Sequence, residues 1–296
     1  MGMELYNTGE HACVLFTNLV DEGDGEVVQA NQCLIVDHGR GMLLDPGGNM
    51  TYNELFIAMS RFSAPKELQH VFASHADPDI IASLQRWLTS SNTQCVISRV
   101  WSRFVPHLCG NGRTDGRILA VPDRGGVLRL AKARLVLLPA HFLHAEGNLP
   151  VYDPVSRILF SGDLGASMVS ASAAGQFIED IEPHIGAMLG FHRRYMVSNK
   201  ICRFWAEMVR GLDIAMIVPQ HGAPMRGAAV GQFIDWISQL PSGVDLMTQE
   251  AYRLPVALFE QGLQRIPVDL MTQEAYRLPD PKWMLDSPPA ASAEAA

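Results

Sequence analysis

Residues 74–80 read Ser-His-Ala-Asp-Pro-Asp-Ile, which sets an imidazole and two carboxylates two residues apart, at the end of the apolar run 71–74. In an extended backbone positions i, i+2 and i+4 point the same way, so one strand exit can present His75, Asp77 and Asp79 together. Pro78 disfavours an α conformation at Asp77. Three more segments follow apolar runs in the same manner: 138–144 carries His141 and His144, 160–163 ends on Asp163, and 218–221 ends on His221. Loops at one edge of a layered scaffold converge, so His75, Asp77 and Asp79, a histidine of the pair His141 and His144, Asp163 and His221 are read as a metal centre. The competing reading of the first segment is a polar loop in which Asp79 caps a helix starting at Ile80. His11, His38, His70, His107, His184 and His192 lack this context and are read as surface or packing histidines. Three histidines and three carboxylates without sulfur suit Fe or Mn and are compatible with Zn.

The elements that must position these groups alternate along residues 30–240. Apolar runs at 32–37 and 42–45, separated by His-Gly-Arg-Gly, predict a hairpin. Residues 54–62 predict a helix with Leu55, Ala58, Met59 and Phe62 on one face. Strands are expected at 71–74, 95–98, 135–138, 157–163 and 214–218, and helices at 80–88, 195–209 and 230–240. The stretch 110–126 is rich in turn formers. Strands mixed with helices predict layered sheets flanked by helices.

With 23 Lys+Arg against 31 Asp+Glu the net charge is −8, which argues against a nonspecific nucleic-acid binder. No run approaches the roughly 18 apolar residues of a membrane helix, and the first residues lack the basic flank of a signal peptide. The five cysteines are scattered and never spaced as CxxC, so the expected location is the cytoplasm. Residues 244–255 recur letter for letter as 268–279. Two copies are too few for a solenoid, so 241–286 is read as an extension packed on the main domain, 1–240, with a helical partner-binding tail as the other reading. Residues 287–296 are read as a disordered tail.

In these motifs the chain resembles the metallo-β-lactamase superfamily, and within it the di-iron core of flavodiiron proteins and the related stand-alone oxygen-binding di-iron proteins. The superfamily's first motif is His-x-His-x-Asp-His. Here Asp77 replaces the second histidine, a carboxylate change that marks the di-iron branch, and Ile80 stands where the last histidine would be. The resemblance spans about residues 28–240 and implies an α/β fold, an αββα sandwich of two mixed sheets flanked by helices. It also implies that His75, Asp77 and His144 bind one metal, Asp79 and His221 the other, and Asp163 bridges. Ile80 cannot ligate, so the second metal keeps an open position unless His141 moves in.

Anionic oxygen from Asp77 favours a higher oxidation state and tilts the metal toward two Fe ions. The function expected first is binding of, or reaction with, dioxygen, another diatomic or peroxide, as a sensor or as a reductase with a separate electron donor. The 56 residues after Leu240 are too few for an FMN domain. The alternative is a metal-dependent phosphoester hydrolase, with a cyclic dinucleotide among its conceivable substrates, in which a metal-activated water attacks phosphorus and Arg193 and Arg194 bind phosphate. For those arginines the plainer reading is a solvated helix face, and for Arg40 a hairpin tip. A homodimer is the default association.

Overall fold

The computed structural model describes residues 2–20, 29–110, 112, 114–252 and 276. Period-2 alternation builds two sheets that share one core. In β2 (His11–Phe16), Cys13 and Leu15 point to one face while Val14 and Phe16 point to the other. β1 (Gly2–Asn7), β2, β3 (Gln32–Asp37), β4 (Arg40–Leu44), β5 (Leu68–Phe72), β6 (Gln94–Ser98) and β7 (Ile118–Val121) form a seven-stranded sheet in that order. β8 (Gly126–Leu130), β9 (Ala133–Leu137), β10 (Val151–Asp153), β11 (Ile158–Gly162), β12 (Met216–Pro219) and β13 (Met225–Arg226) form the second sheet, also in sequence order. Both are mixed. β4 to β7 run parallel in the first sheet, and β11 pairs parallel with β12 in the second.

Between the sheets lie Leu15, Ile35, Met42 and Phe72 of the first and Leu135, Val151, Ile158 and Phe160 of the second. The outer face of the first sheet is covered by α1 (Tyr52–Met59), α2 (Pro78–Ile81), α3 (Leu84–Ser90), α4 (Arg99–Ser102) and α5 (Val105–Cys109), with Leu55, Met59 and Trp87 fully buried. The chain then passes α6 (Ala171–Ala174), and α7 (Ile185–Tyr195), α8 (Asn199–Val209) and α9 (Ala228–Gln239) cover the second sheet through Met188, Trp205 and Phe233. The result is the four-layer αββα sandwich. Free, buried Cys13, Cys33, Cys95, Cys109 and Cys202 serve as small core residues. Among the described residues no helix is long and apolar enough to cross a membrane.

Three expectations about elements need correction. The helix predicted at 80–88 is two helices, α2 and α3, broken at residues 82–83. The helix predicted at 195–209 begins only at Asn199, and Tyr195 ends the preceding helix α7, because Met196 and Ser198 are extended. The turn-rich stretch 110–126 contains β7. Arg40 is also no anion site, since its guanidinium is paired with Glu67 at 2.7 Å.

The first repeat copy starts beside the α7–α8 joint. There the Val244 N–H donates to the Val197 carbonyl and the Asn199 N–H to the Asp245 carboxylate. Of the second copy only Tyr276 is described, and the tail at 287–296 lies outside the described residues.

Candidate metal centre

Four segments meet at one edge of the sandwich, beyond the ends of β5, β9, β11 and β12. The first leaves β5 at Phe72. The buried Asp45 carboxylate, just past β4, accepts the Ser74 N–H at 2.7 Å and fixes this exit. Burial raises the Asp45 pKa to about 6, against the Ser74 hydrogen bonds and the His75 charge, which lower it. The Ser74 hydroxyl lies 2.9 Å from His75 Nδ1 and orients that ring, leaving Nε2 to face the cluster.

Residues 75–79 do not continue as a strand. Asp77 is extended, Pro78 occupies the first turn of α2, where its missing N–H costs nothing, and Asp79 follows on that turn. The alternation argument therefore fails for Asp79, which turns away from His75 and approaches His221. Neither carboxylate caps the helix, because no side-chain cap bond is present at the N-cap Asp77.

The six predicted residues form one linked cluster. Asp77 Oδ2 lies 3.6 Å from His75 Nε2 and 3.1 Å from His144 Nε2. Asp163 Oδ2 lies 3.7 Å and 3.2 Å from the same two nitrogens. On the other side, His221 Nε2 is 3.4 Å from Asp79 Oδ2 and 3.8 Å from Asp163 Oδ1. The two oxygens of Asp163 thus face two separate sets of donors. An ion about 2.0–2.2 Å from each ligand atom holds neighbouring ligands roughly 3.0–3.5 Å apart, close to the spacings seen. Asp163 Oδ1 is moreover buried without a hydrogen-bond partner. A buried carboxylate oxygen in that condition is costly, and a cation between Asp163, Asp79 and His221 relieves it. The donor set fits two metal ions.

Around the donors, backbone and imidazole groups fix orientation. His221 Nδ1 sits 2.8 Å from the Gln29 carbonyl, so its Nε2 is the nitrogen turned inward. Gly222 has φ +82°, and a methyl group there would run into Ser167. Behind Asp163, the fully buried His192 accepts the Gly165 N–H at 2.9 Å through Nε2 and faces the Met188 carbonyl through Nδ1. Burial lowers its pKa to about 4 and keeps it neutral for that role. Burial opposes protonation of His75, but Asp163 and Asp77 outweigh it and hold its pKa up to about 9. The bonds from His144 and His75 push Asp77 far below the usual carboxylate range. This is the electrostatics of an anionic cavity that attracts cations.

Ile80 is fully buried in the core under the first sheet and does not face the cluster. His141 does not replace the missing histidine. Its two ring nitrogens lie against the carbonyls of Glu146, at 2.9 Å, and Asp123, at 2.6 Å. Among the described residues the second set therefore has fewer protein donors than the first. Arg193 and Arg194 are exposed on the last turn of α7 and take no part in the cluster. An aromatic wall flanks it instead: Tyr195 stands edge-on to His144 at 5.0 Å between ring centres, and Phe191 lies 6.1 Å from His144 and 6.5 Å from His221.

His11 departs from its expected role as a surface or packing residue. Its Nδ1 lies 3.0 Å from Asp37 and its Nε2 2.8 Å from Asp153, all three residues being nearly inaccessible. Asp37 also accepts the Lys132 and Ala133 N–H groups, and Asp153 those of Val155 and Ser156. Cys13 Sγ lies 3.5 Å from Asp153, and ligand atoms of His11, Cys13 and Asp153 come within 4.8 Å of one another. The imidazole and carboxylates already satisfy one another, which makes this a clasp between the sheets. The spacing of His11 and Asp153, 142 residues apart, gave no local signal for it.

Comparison with known proteins agrees with this geometry. The family described as "ODP family beta lactamase" matches residues 28–222. A solved structure of the apo state of the chemotaxis sensor ODP from T. denticola is 38% identical, covering 83% of this chain and 97% of that one, with a TM-score of 0.74. A structure of the peroxy di-iron species of chemotaxis sensor ODP superposes with TM-score 0.73 at the same identity and coverage. The flavodiiron protein from Giardia intestinalis shares the fold at 18% identity and TM-score 0.65, over 80% of this chain and 59% of that one. An uncharacterized protein of Methanocaldococcus jannaschii is 24% identical over 65% of this chain, and the match spans about half of that relative's length, 48%. The chain belongs to the ODP family of metallo-β-lactamase-like di-iron proteins.

Proposed function

We propose that this protein is a non-haem di-iron sensor of dioxygen or peroxide. The observation that carries the reading is the two-sided Asp163 carboxylate, one oxygen toward His75 and His144 and the other, buried and unpartnered, toward His221 and Asp79. In this reading His75, Asp77 and His144 would hold one iron and Asp79 and His221 the other, with Asp163 shared between them. Two ferrous ions bound there would supply one electron each, enough to take dioxygen to the peroxide level. The protein's part is positional. Asp45 and Ser74 aim His75, the Gln29 carbonyl aims His221, and His192 holds the turn that carries Asp163.

The thinner donor set at the second position leaves a side open to a small ligand. Phe191 and Tyr195 keep bulk water off the His144 side. The 38% identical relative is a chemotaxis sensor, which supports signalling over turnover. Repeated reduction would need a separate electron donor. A reducing compartment such as the cytoplasm keeps the five thiols free, and a homodimer is the association we would look for first.

The test is to load the protein with ferrous iron without oxygen, admit air, and follow the visible spectrum while counting metal. About two irons per chain with a new charge-transfer band are expected. Retention of zinc alone with no redox band would overturn the reading, and cleavage of phosphodiesters by that zinc protein would replace it with the hydrolase.

A further inference from the structure

The C-terminal repeat places one ring against the candidate centre. Tyr276 is 8% exposed and packs edge-on to both residues of the aromatic wall, 5.6 Å from Phe191 and 5.7 Å from Tyr195 between ring centres. Both of those rings also touch His144. Its twin in the first copy, Tyr252, is 74% exposed. The two tyrosines sit in identical twelve-residue contexts, so local sequence does not explain the difference. The seat does.

The phenol is also within electrostatic reach of the metal-facing carboxylates. Burial, then Tyr195, Asp163 and Asp79, raise its pKa to about 12, so it keeps its proton. The imidazole nitrogens and carboxylates of the cluster face one another across the positions of the ions, and Tyr195 is 40% exposed. A protonated phenol on the ring packed against this wall supplies something the donors themselves do not: an O–H for a ligand that gains negative charge as it is reduced.

We propose that Tyr276 is a residue of this site, its ring packed on the aromatic wall and its phenol donating a hydrogen bond to the small oxygen ligand taken there. The inference rests on the di-iron reading above and assigns the extension a part in it.

Two measurements test it separately from that reading. In the metal-free protein, limiting tetranitromethane should nitrate Tyr252 well before Tyr276. The tryptic peptides of the two copies differ in their upstream residues, so mass spectrometry tells them apart. Equal or faster nitration of Tyr276 would remove the seat.

With iron, the comparison is Tyr252→Ala against Tyr252→Ala/Tyr276→Phe, so that the first copy cannot substitute. Both should keep two irons, and the band formed in air should decay about tenfold faster without the phenol, the loss expected for one hydrogen bond. Tyr252→Ala/Tyr276→Ala should in addition release iron faster to bipyridine. Unchanged decay and release would overturn the role of Tyr276 while leaving the di-iron reading intact. Absence of any band in the unaltered protein would defeat both the reading and the donor role, with nitration still deciding the seat.

Discussion

Asp163 is the residue on which the two halves of the centre depend, because each of its oxygens belongs to a different set of donors. Its removal should therefore affect both positions, whereas removal of Asp79 should affect one. In Asp79→Ala about one iron per chain is expected to remain after desalting, held by His75, Asp77, His144 and Asp163. In Asp163→Ala less than that should remain, because the first position loses one of its two carboxylates and the second is left with His221 and Asp79. Elemental analysis of the folded variants decides this. Equal metal content in the two would mean that Asp163 does not bridge. The substitution of Ile80 for the superfamily's histidine acts at the same scale. A side chain completely enclosed in the core beneath α1 and α3 gives the second ion nothing, and no neighbouring imidazole compensates.

At the scale of elements, the centre depends on turns that hold donors at the ends of strands. Gly222 after β12 shows how little freedom such a turn has. Gly222→Ala would force an L residue to φ +82° and press its methyl group on Ser167, at a cost of about 1–3 kcal/mol. Because His221 is the adjacent residue, the second metal should bind more weakly while the first is kept, which a metal titration would show. Unaltered affinity for both ions would mean that the turn does not tune His221.

These strand exits were legible in the sequence because each donor follows an apolar run, and chain order alone brings such ends to one edge. Other parts were not. Helix α7 carries Gly186 and Gly190 and only a weak apolar face, β7 is hidden among turn residues, and β1 and β2 lie before the stretch where alternation was read. His192 and Tyr276 touch the site through contacts across tens of residues, which no local period encodes. The alternation of His75, Asp77 and Asp79 pointed to residues that the fold brings into one cluster, but by a different geometry. Pro78 starts a helix, and that turn is what sends Asp79 to the second position.

At the scale of the whole molecule, strand β11 has a polar fastening at each end. Asp153 lies beside its first residue, Ile158, and ties the second sheet to His11 and Asp37 of the first. Asp163 follows its last residue and meets His75. The clasp has its own pH signature. Burial disfavours the charged His11, but Asp153 and Asp37 raise its pKa above 6.5. Its contribution to stability is thus complete below 6.5 and fades as pH rises through the raised value. Burial likewise opposes ionisation of Asp37, but His11 and two backbone amides bring its pKa down to about 2, and that of Asp153 is lowered as well. Their contributions are complete above 3.8 and fade as pH falls through the lowered values. His11→Asn should cost about 3–5 kcal/mol near pH 5, since two buried carboxylates lose their counter-charge, and should flatten the decline in stability above neutrality. Urea unfolding across pH would reveal it.

The other fastening is of a different kind. Protein charges hold one mouth of the sandwich without any ion, while the opposite mouth is laced by whatever ions the four exits grip. Chelation should therefore speed amide exchange at residues 74–80, 144–148 and 219–222 and leave residues 11–15 and 132–133 protected. Loosening confined to that one mouth would tie the ions held there to the shape of the sandwich, which is what the proposed sensor reading requires.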